Sequence, residues 1–432
     1  MEFETNNGHL IWAGCDTVAL AKEFGTPLYV FSQTQIEEKC HELQKNFVQK
    51  YKNARVAFAS KAFSTLAMLK IVEQQGFSLD VVSDGELYTA IKADFPAERI
   101  EMNGNNKSIE ELELAIDYGV GRIIVDSLQE VGLIAAIAKE KQKTVDILFR
   151  ITPEVNVTTH SFISTGQKDS KFGIPIDESI LFPQIEQAIK TPEVHFLGFH
   201  FHVGSQLFDH QAHLAAVDIA LDLVKLVQER FDYTIKELNF GGGFGVKYTD
   251  ADQPKPFNYF TDPMMDKVLA FCEQENYPQP AIVIEPGRSI VAEAGISLHT
   301  IGAIKELPGL RKYVSIDGGM TDNIRPGLYE AKYTGVLANK IDQANEEIVT
   351  ISGKACESTD ILVKDIALPA IEPGDIFATF STGAYGYSMA SNYNKLAIPA
   401  VVLAKNGKAE VIVKRQTLDQ IIQNEVIPES LK

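Results

Sequence analysis

The middle of the chain alternates between short apolar runs and helix-like segments, and this alternation is what most constrains its fold. The runs are typical of strands buried on both faces of a parallel sheet. There are eight of them: "VAFAS" (56–60), "LDVVS" (79–83), "IEMNG" (100–104), "RIIVDS" (122–127), "VDILFRI" (145–151), "FLGFHFHVGS" (196–205), "ELNFGGG" (237–243) and "AIVIEPG" (281–287). Eight strand–helix units within a stretch of about 250 residues are typical of a (β/α)8 barrel, so we predict a TIM-type barrel. A doubly wound sheet stays open as an alternative, since strand order cannot be read from sequence.

The segments between the runs carry helix signals. In "STLAMLKIVEQQG" (64–76), Leu66, Leu69 and Val72 recur at helical spacing. In "SIEELELAIDYG" (108–119), Ser108 and Glu111 form a capping box, which marks the start of a helix.

The last part of the chain changes character. After about Ser289, strand-like runs follow one another with little helix between them, and "KNGK" (405–408) predicts a tight hairpin. We therefore predict an α/β fold in which the barrel, over 35–288, is followed by a C-terminal all-β domain, a β-sandwich or barrel. That domain spans 1–34 plus 289–432 and includes the N-terminal strand "PLYVFS" (27–32).

Composition excludes several classes of partner. A formal net charge of -18 disfavours nucleic acid and anionic membranes, because both repel an acidic surface. The four cysteines are scattered without CxxC spacing, which indicates a reducing cytoplasm rather than a disulfide framework or a zinc site. The first ten residues lack the pattern of a signal peptide, and the uncharged run 376–394 is too polar to span a bilayer.

Polar residues cluster where the predicted strands end. They are Lys61, Asp80, Ser83, Asp84, Asn103, Arg150, His202, Ser205, Gly241–Gly243 and Glu285–Arg288. In a barrel the carboxyl ends of all strands meet on one rim, which is where active sites lie. We therefore expect these residues to surround one pocket.

The chemistry of this set indicates pyridoxal phosphate. Lys61 has no acidic neighbour in sequence, and a desolvated lysine becomes an amine nucleophile suited to a Schiff base. "GGGFG" (241–245) leaves backbone N–H groups bare for a phosphate, and it is neither a Walker loop nor GxGxxG. A carboxylate such as Glu285 would keep the ring nitrogen protonated, so that the ring accepts electrons.

Each feature also has a plainer interpretation. Lys61 alone could be a lysine that snorkels from a strand end, and "GGGFG" alone a tight turn. His200 and His202 could be a metal pair, but no cysteine or carboxylate cluster completes a ligand set. We therefore predict no metal, and expect one histidine to stack on a flat ring and the other to lie in the core.

At these residues the chain resembles the diaminopimelate decarboxylases, of the alanine-racemase-like class of pyridoxal-phosphate enzymes that includes ornithine and arginine decarboxylases. The resemblance runs along nearly the whole chain. Its motifs are "FASKAF" (58–63), "LDVVSDGEL" (79–87), "GNNKS" (104–108), "THSFISTGQKDSKFG" (159–173), "HFHVGSQ" (200–206), "GGGFG", "EPGR" (285–288), "RPGLY" (325–329), "ACESTD" (355–360) and "GAYG" (383–386). Two positions depart from the family pattern, since Phe58 and Phe63 stand where a tyrosine and an asparagine are usual. Both flank the lysine, so we expect them to affect local packing and water access only.

The resemblance implies a role for each of the matching residues. Lys61 would bind the cofactor aldehyde, His202 would stack on the ring, and Glu285 would meet the pyridine nitrogen. The cofactor contacts would be Lys61, His202, Gly242, Gly243, Glu285, Pro286, Gly287, Arg288 and Tyr385. The substrate contacts would be Arg288, Arg325, Tyr329, Glu357 and Tyr385, and Cys356 would return a proton as a further catalytic residue. It also implies a homodimer whose active sites lie at the subunit interface, and the cysteine pattern leads us to expect it in the cytoplasm.

Paired arginines point to the substrate. Arg288 and Arg325 can grip a distal carboxylate in forked geometry, and Glu357 can take a distal ammonium. We therefore expect decarboxylation of meso-2,6-diaminopimelate to L-lysine, the last step of lysine biosynthesis. A sister decarboxylase acting on ornithine, arginine or carboxynorspermidine is the alternative, and a catalytically dead relative or a racemase fits less well.

Overall fold

The computed structural model describes residues 4–155 and 170–432, and the chain divides into two compact units. One comprises Glu37–Val246 and Gln253–Ile290, and the other comprises Met1–Ile36, Lys247–Asp252 and Val291–Lys432. The domain limits given above stay a prediction. Within the described residues, no helix is long and apolar enough to cross a bilayer.

The first unit is built on eight parallel strands that pair in chain order. They are Ala54–Ala59, Ser78–Val81, Ile100–Met102, Arg122–Val125, Val145–Thr152, Val194–His200, Glu237–Asn239 and Ala281–Ile284. The eighth strand pairs in parallel with the first, so the sheet closes on itself. This closure confirms the predicted barrel and removes the doubly wound alternative. A short strand, Ile174–Pro175, adds to the edge of the fifth.

Helices connect successive barrel strands. They are Leu66–Gln74, Asp84–Lys92, Ile109–Tyr118, Glu130–Glu140, Glu178–Lys190, Gln211–Phe231 and Phe257–Gln274. A further helix, Gln33–Leu43, precedes the first strand, and Arg288–Val291 follows the last.

Two of the helix predictions can be compared directly with the structure. Ser108 and Glu111 form the predicted capping box. The helix Leu66–Gln74 contains all three apolar residues; Leu69 and Val72 are fully buried, whereas Leu66, the first helical residue, is 51% exposed. Met68 and Ile71 complete the buried face instead.

The second unit is mostly sheet. Its main path of strands runs Ile361–Leu368, Glu347–Ser352, Arg311–Ile316, Gly295–Leu307, Leu28–Ser32, Ala400–Lys405 and Lys408–Val413. Off this path, Ile376–Thr379 pairs with both Gly295–Leu307 and Gly335–Leu337. A small sheet of Thr5–Asn6, His9–Trp12 and Cys15–Asp16 and the helices Thr17–Phe24, Arg325–Tyr329 and Leu418–Ile422 complete the unit.

Two local predictions for this unit are confirmed. The N-terminal strand Leu28–Ser32 joins the sheet in its interior, antiparallel to Gly295–Leu307 and parallel to Ala400–Lys405. The hairpin at 405–408 turns through Asn406 and Gly407, whose φ angles of 52° and 78° are the positive values that such a turn requires.

Candidate active site

Lys61 lies directly after the first barrel strand, in the single helical turn Ser60–Ala62. The residue is exposed, so the described chain does not itself desolvate this lysine. Its positive charge still acts on the buried groups at this rim, because it lowers the pKa values of Glu285 and His202. The Lys61 amine is thus near enough to this rim to act on its buried groups.

Glu285 follows the eighth strand and is buried, with 6% of its surface exposed. His200 Nε2 donates to its carboxylate at 3.1 Å, Asn239 Nδ2 at 2.8 Å and Asn103 Nδ2 at 3.4 Å. Burial alone would raise the pKa of Glu285, but the neighbouring His200 and Lys61 outweigh it and lower this pKa to about 2. Glu285 is therefore a buried carboxylate that stays ionised at neutral pH.

The two histidines of the sixth strand region have different surroundings. His200 is fully buried and is bonded to Glu285, so it is more than the core residue that sequence reasoning expected. His202 is partly exposed, and its Nδ1 accepts a hydrogen bond from the Gly242 N–H at 3.2 Å. Burial and the positive charges of Lys61 and Arg150 hold the pKa of His202 well below its usual value. His202 is thus a flat, neutral ring at the rim.

Glycines let three loops approach one another at this rim. Gly241 and Gly243 have φ angles of 65° and 98°, which favour glycine. A Cβ atom on Gly242 would lie 2.1 Å from the Glu285 carbonyl oxygen, and one on Gly287 would lie 2.9 Å from the Ala59 Cβ. The backbones of the glycine loop and of the segment after the eighth strand therefore pack directly against each other.

Arg288 begins the short helix Arg288–Val291 and is buried. It donates through Nη2 to the Ser205 hydroxyl at 3.0 Å, which ties it to the loop after the sixth strand. Pro286 accepts the Ala59 N–H through its carbonyl at 3.2 Å, which ties the same segment to the first strand.

The barrel interior contains polar residues that sequence reasoning missed. Glu101 and Asn239 are fully buried, and the Asn239 amide donates to Glu101 Oε2 at 2.8 Å as well as to Glu285. Asn103, which sequence reasoning did place here, donates to Asp80 at 2.7 Å. A signal for Asn239 was present in the sequence. It is the last residue of its strand, and alternate residues of a barrel strand point inward, so a polar residue at this position could face the barrel interior.

The second unit contains the other predicted site residues, beginning with Arg325. Arg325 is buried, donates through Nη1 to the Tyr333 hydroxyl, and lies 4.9 Å from the centre of the Tyr248 ring. Burial would lower the pKa of Arg325, but Tyr333 and Tyr248 raise it above its usual value. With the residues that the structure describes, Arg325 makes no ion pair. A buried guanidinium of this kind suits an anionic ligand.

Cys356 and Glu357 lie in an exposed loop of the second unit. The Cys356 N–H donates to Asn394 Oδ1 at 2.6 Å, and the buried Asp360 accepts the Ala355 N–H at 2.8 Å. The backbone that leads into Cys356 is therefore held by hydrogen bonds although the side chain is exposed. The Thr359 N–H and the Ser358 hydroxyl lower the pKa of Glu357.

Tyr329 and Tyr385 are both partly exposed. Tyr329 ends the helix that begins at Arg325, and Tyr385 has a φ angle of 58° in the "GAYG" turn. Most of the motif at 159–173 lies outside the described residues.

Comparison with known proteins identifies the family to which this chain belongs. The sequence profile of "Pyridoxal-dependent decarboxylase, pyridoxal binding domain" matches residues 33–292. A diaminopimelate decarboxylase of Bacillus subtilis is 45% identical over 420 residues, covering 97% of this chain and 96% of that protein. The chain belongs to the diaminopimelate decarboxylase family.

Other members of the family show the same likeness. A diaminopimelate decarboxylase of Bacillus methanolicus is 46% identical, covering 95% of each chain. The crystal structure of the M. jannaschii diaminopimelate decarboxylase in complex with L-lysine has a TM-score of 0.94 and 36% identity, and the match covers 100% of this chain and 99% of that one. The resemblance found in the motifs is confirmed.

The barrel rim fits the pyridoxal phosphate that this family requires. Glu285 supplies a buried, ionised carboxylate for the ring nitrogen, His202 a neutral flat ring, and Lys61 a primary amine. The closely packed glycine loop and the buried Arg288 suit the phosphate.

Proposed function

We propose that this chain decarboxylates meso-2,6-diaminopimelate to L-lysine and carbon dioxide, the last step of lysine biosynthesis. The observation that carries the proposal is Glu285, a buried carboxylate held ionised at the end of the eighth strand. It occurs in a chain that is 45% identical, over nearly all of its length, to a diaminopimelate decarboxylase.

The barrel residues bind the cofactor in this proposal. Lys61 would hold it through its amine, and Gly242, Gly243 and the segment Glu285–Arg288 would bind its phosphate and ring nitrogen. When bound, pyridoxal phosphate supplies an electron sink for the pair left behind as carbon dioxide departs. Glu285 keeps a proton on the ring nitrogen, because the surrounding donors stabilise its negative charge. His202 would meet the ring as a neutral imidazole.

The residues of the second unit bind the substrate. Arg325 and Arg288 together bind the distal carboxylate. This role is supported by the observation that Arg325 makes no ion pair with any described residue, so its charge is available to an anionic substrate. Glu357 takes the distal ammonium, and Tyr329 and Tyr385 complete the contacts.

Cys356 returns the proton after carbon dioxide leaves, and its exposed position makes it accessible to a substrate. We further propose a cytoplasmic homodimer with shared sites, in which Lys61 of one chain works with Cys356 of the other.

The test is an assay of the purified protein with added pyridoxal phosphate. With meso-diaminopimelate we expect one L-lysine for each carbon dioxide released, and much slower release from ornithine, arginine and carboxynorspermidine. The Lys61→Ala variant is the inactive control. Faster release from one of the other amino acids would transfer the proposal to that substrate, and release from none would contradict it.

A further inference from the structure

One buried side chain connects the two ends of the cofactor site. Asn239 is fully buried at the end of the seventh strand. Its Nδ2 donates at 2.8 Å both to Glu285 Oε1 and to Glu101 Oε2, and its Oδ1 accepts the Gly241 N–H at 2.9 Å. A primary amide has two N–H donors, so both are used.

The three partners of Asn239 have separate roles. Glu285 is the carboxylate proposed for the ring nitrogen, and Gly241 begins the loop proposed for the phosphate. Glu101 is a second carboxyl group, and its Oε1 accepts a hydrogen bond from Arg122 Nη1 at 3.2 Å. Without an amide between them, Glu101 and Glu285 would face each other as two carboxyl groups in a buried space, where like charges repel strongly.

The protonation of the two carboxyl groups fits this arrangement. Burial raises the pKa of Glu101 to about 8, even though Arg122 opposes it, whereas the pKa of Glu285 is lowered. The opposite shifts mean that Glu101 holds a proton more strongly than Glu285 does. An amide can donate to both, because each retains acceptor oxygens.

The other donors to Glu285 do not make the same connection. Asn103 is 3.4 Å from Glu285 and bonds Asp80 more closely, at 2.7 Å. His200 bonds both oxygens of Glu285, at 3.1 and 3.2 Å. Of the described residues whose side chains donate to Glu285, Asn239 is the one that also bonds the glycine loop.

We propose that Asn239 is a positioning residue, which fixes the Glu285 carboxylate relative to the glycine loop so that it meets the ring nitrogen when the phosphate is bound. The inference rests on the proposed function of Glu285 and of the loop. It assigns Asn239 no contact with substrate.

The test replaces Asn239 by leucine, which has a similar size and none of the three hydrogen bonds. Loss of a hydrogen bond to a charged group predicts a fall in kcat of about tenfold or more. With cofactor labelled by 15N at the ring nitrogen, we expect the 15N chemical shift to move toward that of unprotonated pyridine. In a Glu285→Gln background, Asn239→Leu should lower kcat by less than about threefold further, because the two residues act together.

A matched control exists in the second unit. Asn339 also donates to a carboxylate, Asp375, at 2.8 Å, and accepts a backbone N–H, that of Ile376, at 3.0 Å. Asn339→Leu should lower the free energy of unfolding but leave kcat and the 15N shift as in the wild type. If Asn239→Leu does not fold, Asn239→Ala takes its place with the same expected results.

Two results would overturn the inference. One is an unchanged 15N shift in the folded Asn239 variant, and the other is a full additional loss of kcat in the Glu285→Gln background. The 15N comparison needs only cofactor binding, so it tests Asn239 even if diaminopimelate proves not to be the substrate.

Discussion

Replacing Arg325 by lysine should weaken the binding of diaminopimelate much more than it slows turnover of bound substrate. Arg325 is 7% exposed, donates to the Tyr333 hydroxyl and stacks 4.9 Å from the centre of the Tyr248 ring. Lysine retains the charge but loses the planar group that can bind a carboxylate through two N–H donors.

The magnitude follows from the contacts that are lost. A hydrogen bond to a charged group contributes about 1–3 kcal/mol, which corresponds to an increase in KM of about 5- to 150-fold. Tyr333→Phe removes only the hydroxyl that orients the guanidinium, so its effect on KM should have the same direction and be smaller.

Steady-state kinetics with meso-diaminopimelate measure both parameters. Arg311→Lys is the matched control, because Arg311 is one-third exposed and pairs with Asp365 at 3.3 Å on the protein surface. An unchanged KM in Arg325→Lys would show that Arg325 is structural. A loss confined to kcat would also refute a grip on the distal carboxylate.

Three further predictions follow from the structure. Glu285→Gln should lower turnover by orders of magnitude with the cofactor still bound. The surface variant Glu186→Gln is the control and should not lower it. Near-normal turnover in Glu285→Gln would show that Glu285 takes no part in the chemistry. Lys61→Ala and Cys356→Ala, each nearly inactive, should regain activity when their subunits exchange, and confirmed exchange without activity would contradict shared sites. Burial and Glu285 raise the pKa of Asp80 to about 7, so its contribution to stability is full below about pH 4 and is lost as the pH rises through 7. Denaturation of Asp80→Asn at pH 5 and pH 8 should therefore show a smaller loss of stability with rising pH than the wild type, and an equal loss would contradict the shift.

The barrel was predictable because its signal is local. Each strand is buried on both faces, so it is a short apolar run, and each run is followed by a helix with its own caps, as at Ser108. The order of the strands was not predictable, since pairing of Ala281–Ile284 with Ala54–Ala59 depends on closure of the whole sheet.

The candidate site could be predicted from the sequence only where it depends on strand ends. Lys61, Glu285, His202 and the glycine loop follow their strands, and barrel geometry alone brings those positions to one rim. The roles of Asn239 and His200 could not be predicted in this way. Each is a polar residue within an apolar strand, and its role depends on its hydrogen bond to Glu285, which follows another strand. The exposure of Lys61 was not predictable, because it depends on the turn after the strand.

The most direct test of the account is to identify the residue that holds the cofactor. The protein is incubated with pyridoxal phosphate, reduced with borohydride, digested and analysed by mass spectrometry. We expect the added mass on the peptide that contains Lys61, and none on peptides containing Lys107, a buried lysine paired with Glu130 in the same barrel. Labelling of any other lysine would contradict the placement of the site at the end of the first barrel strand.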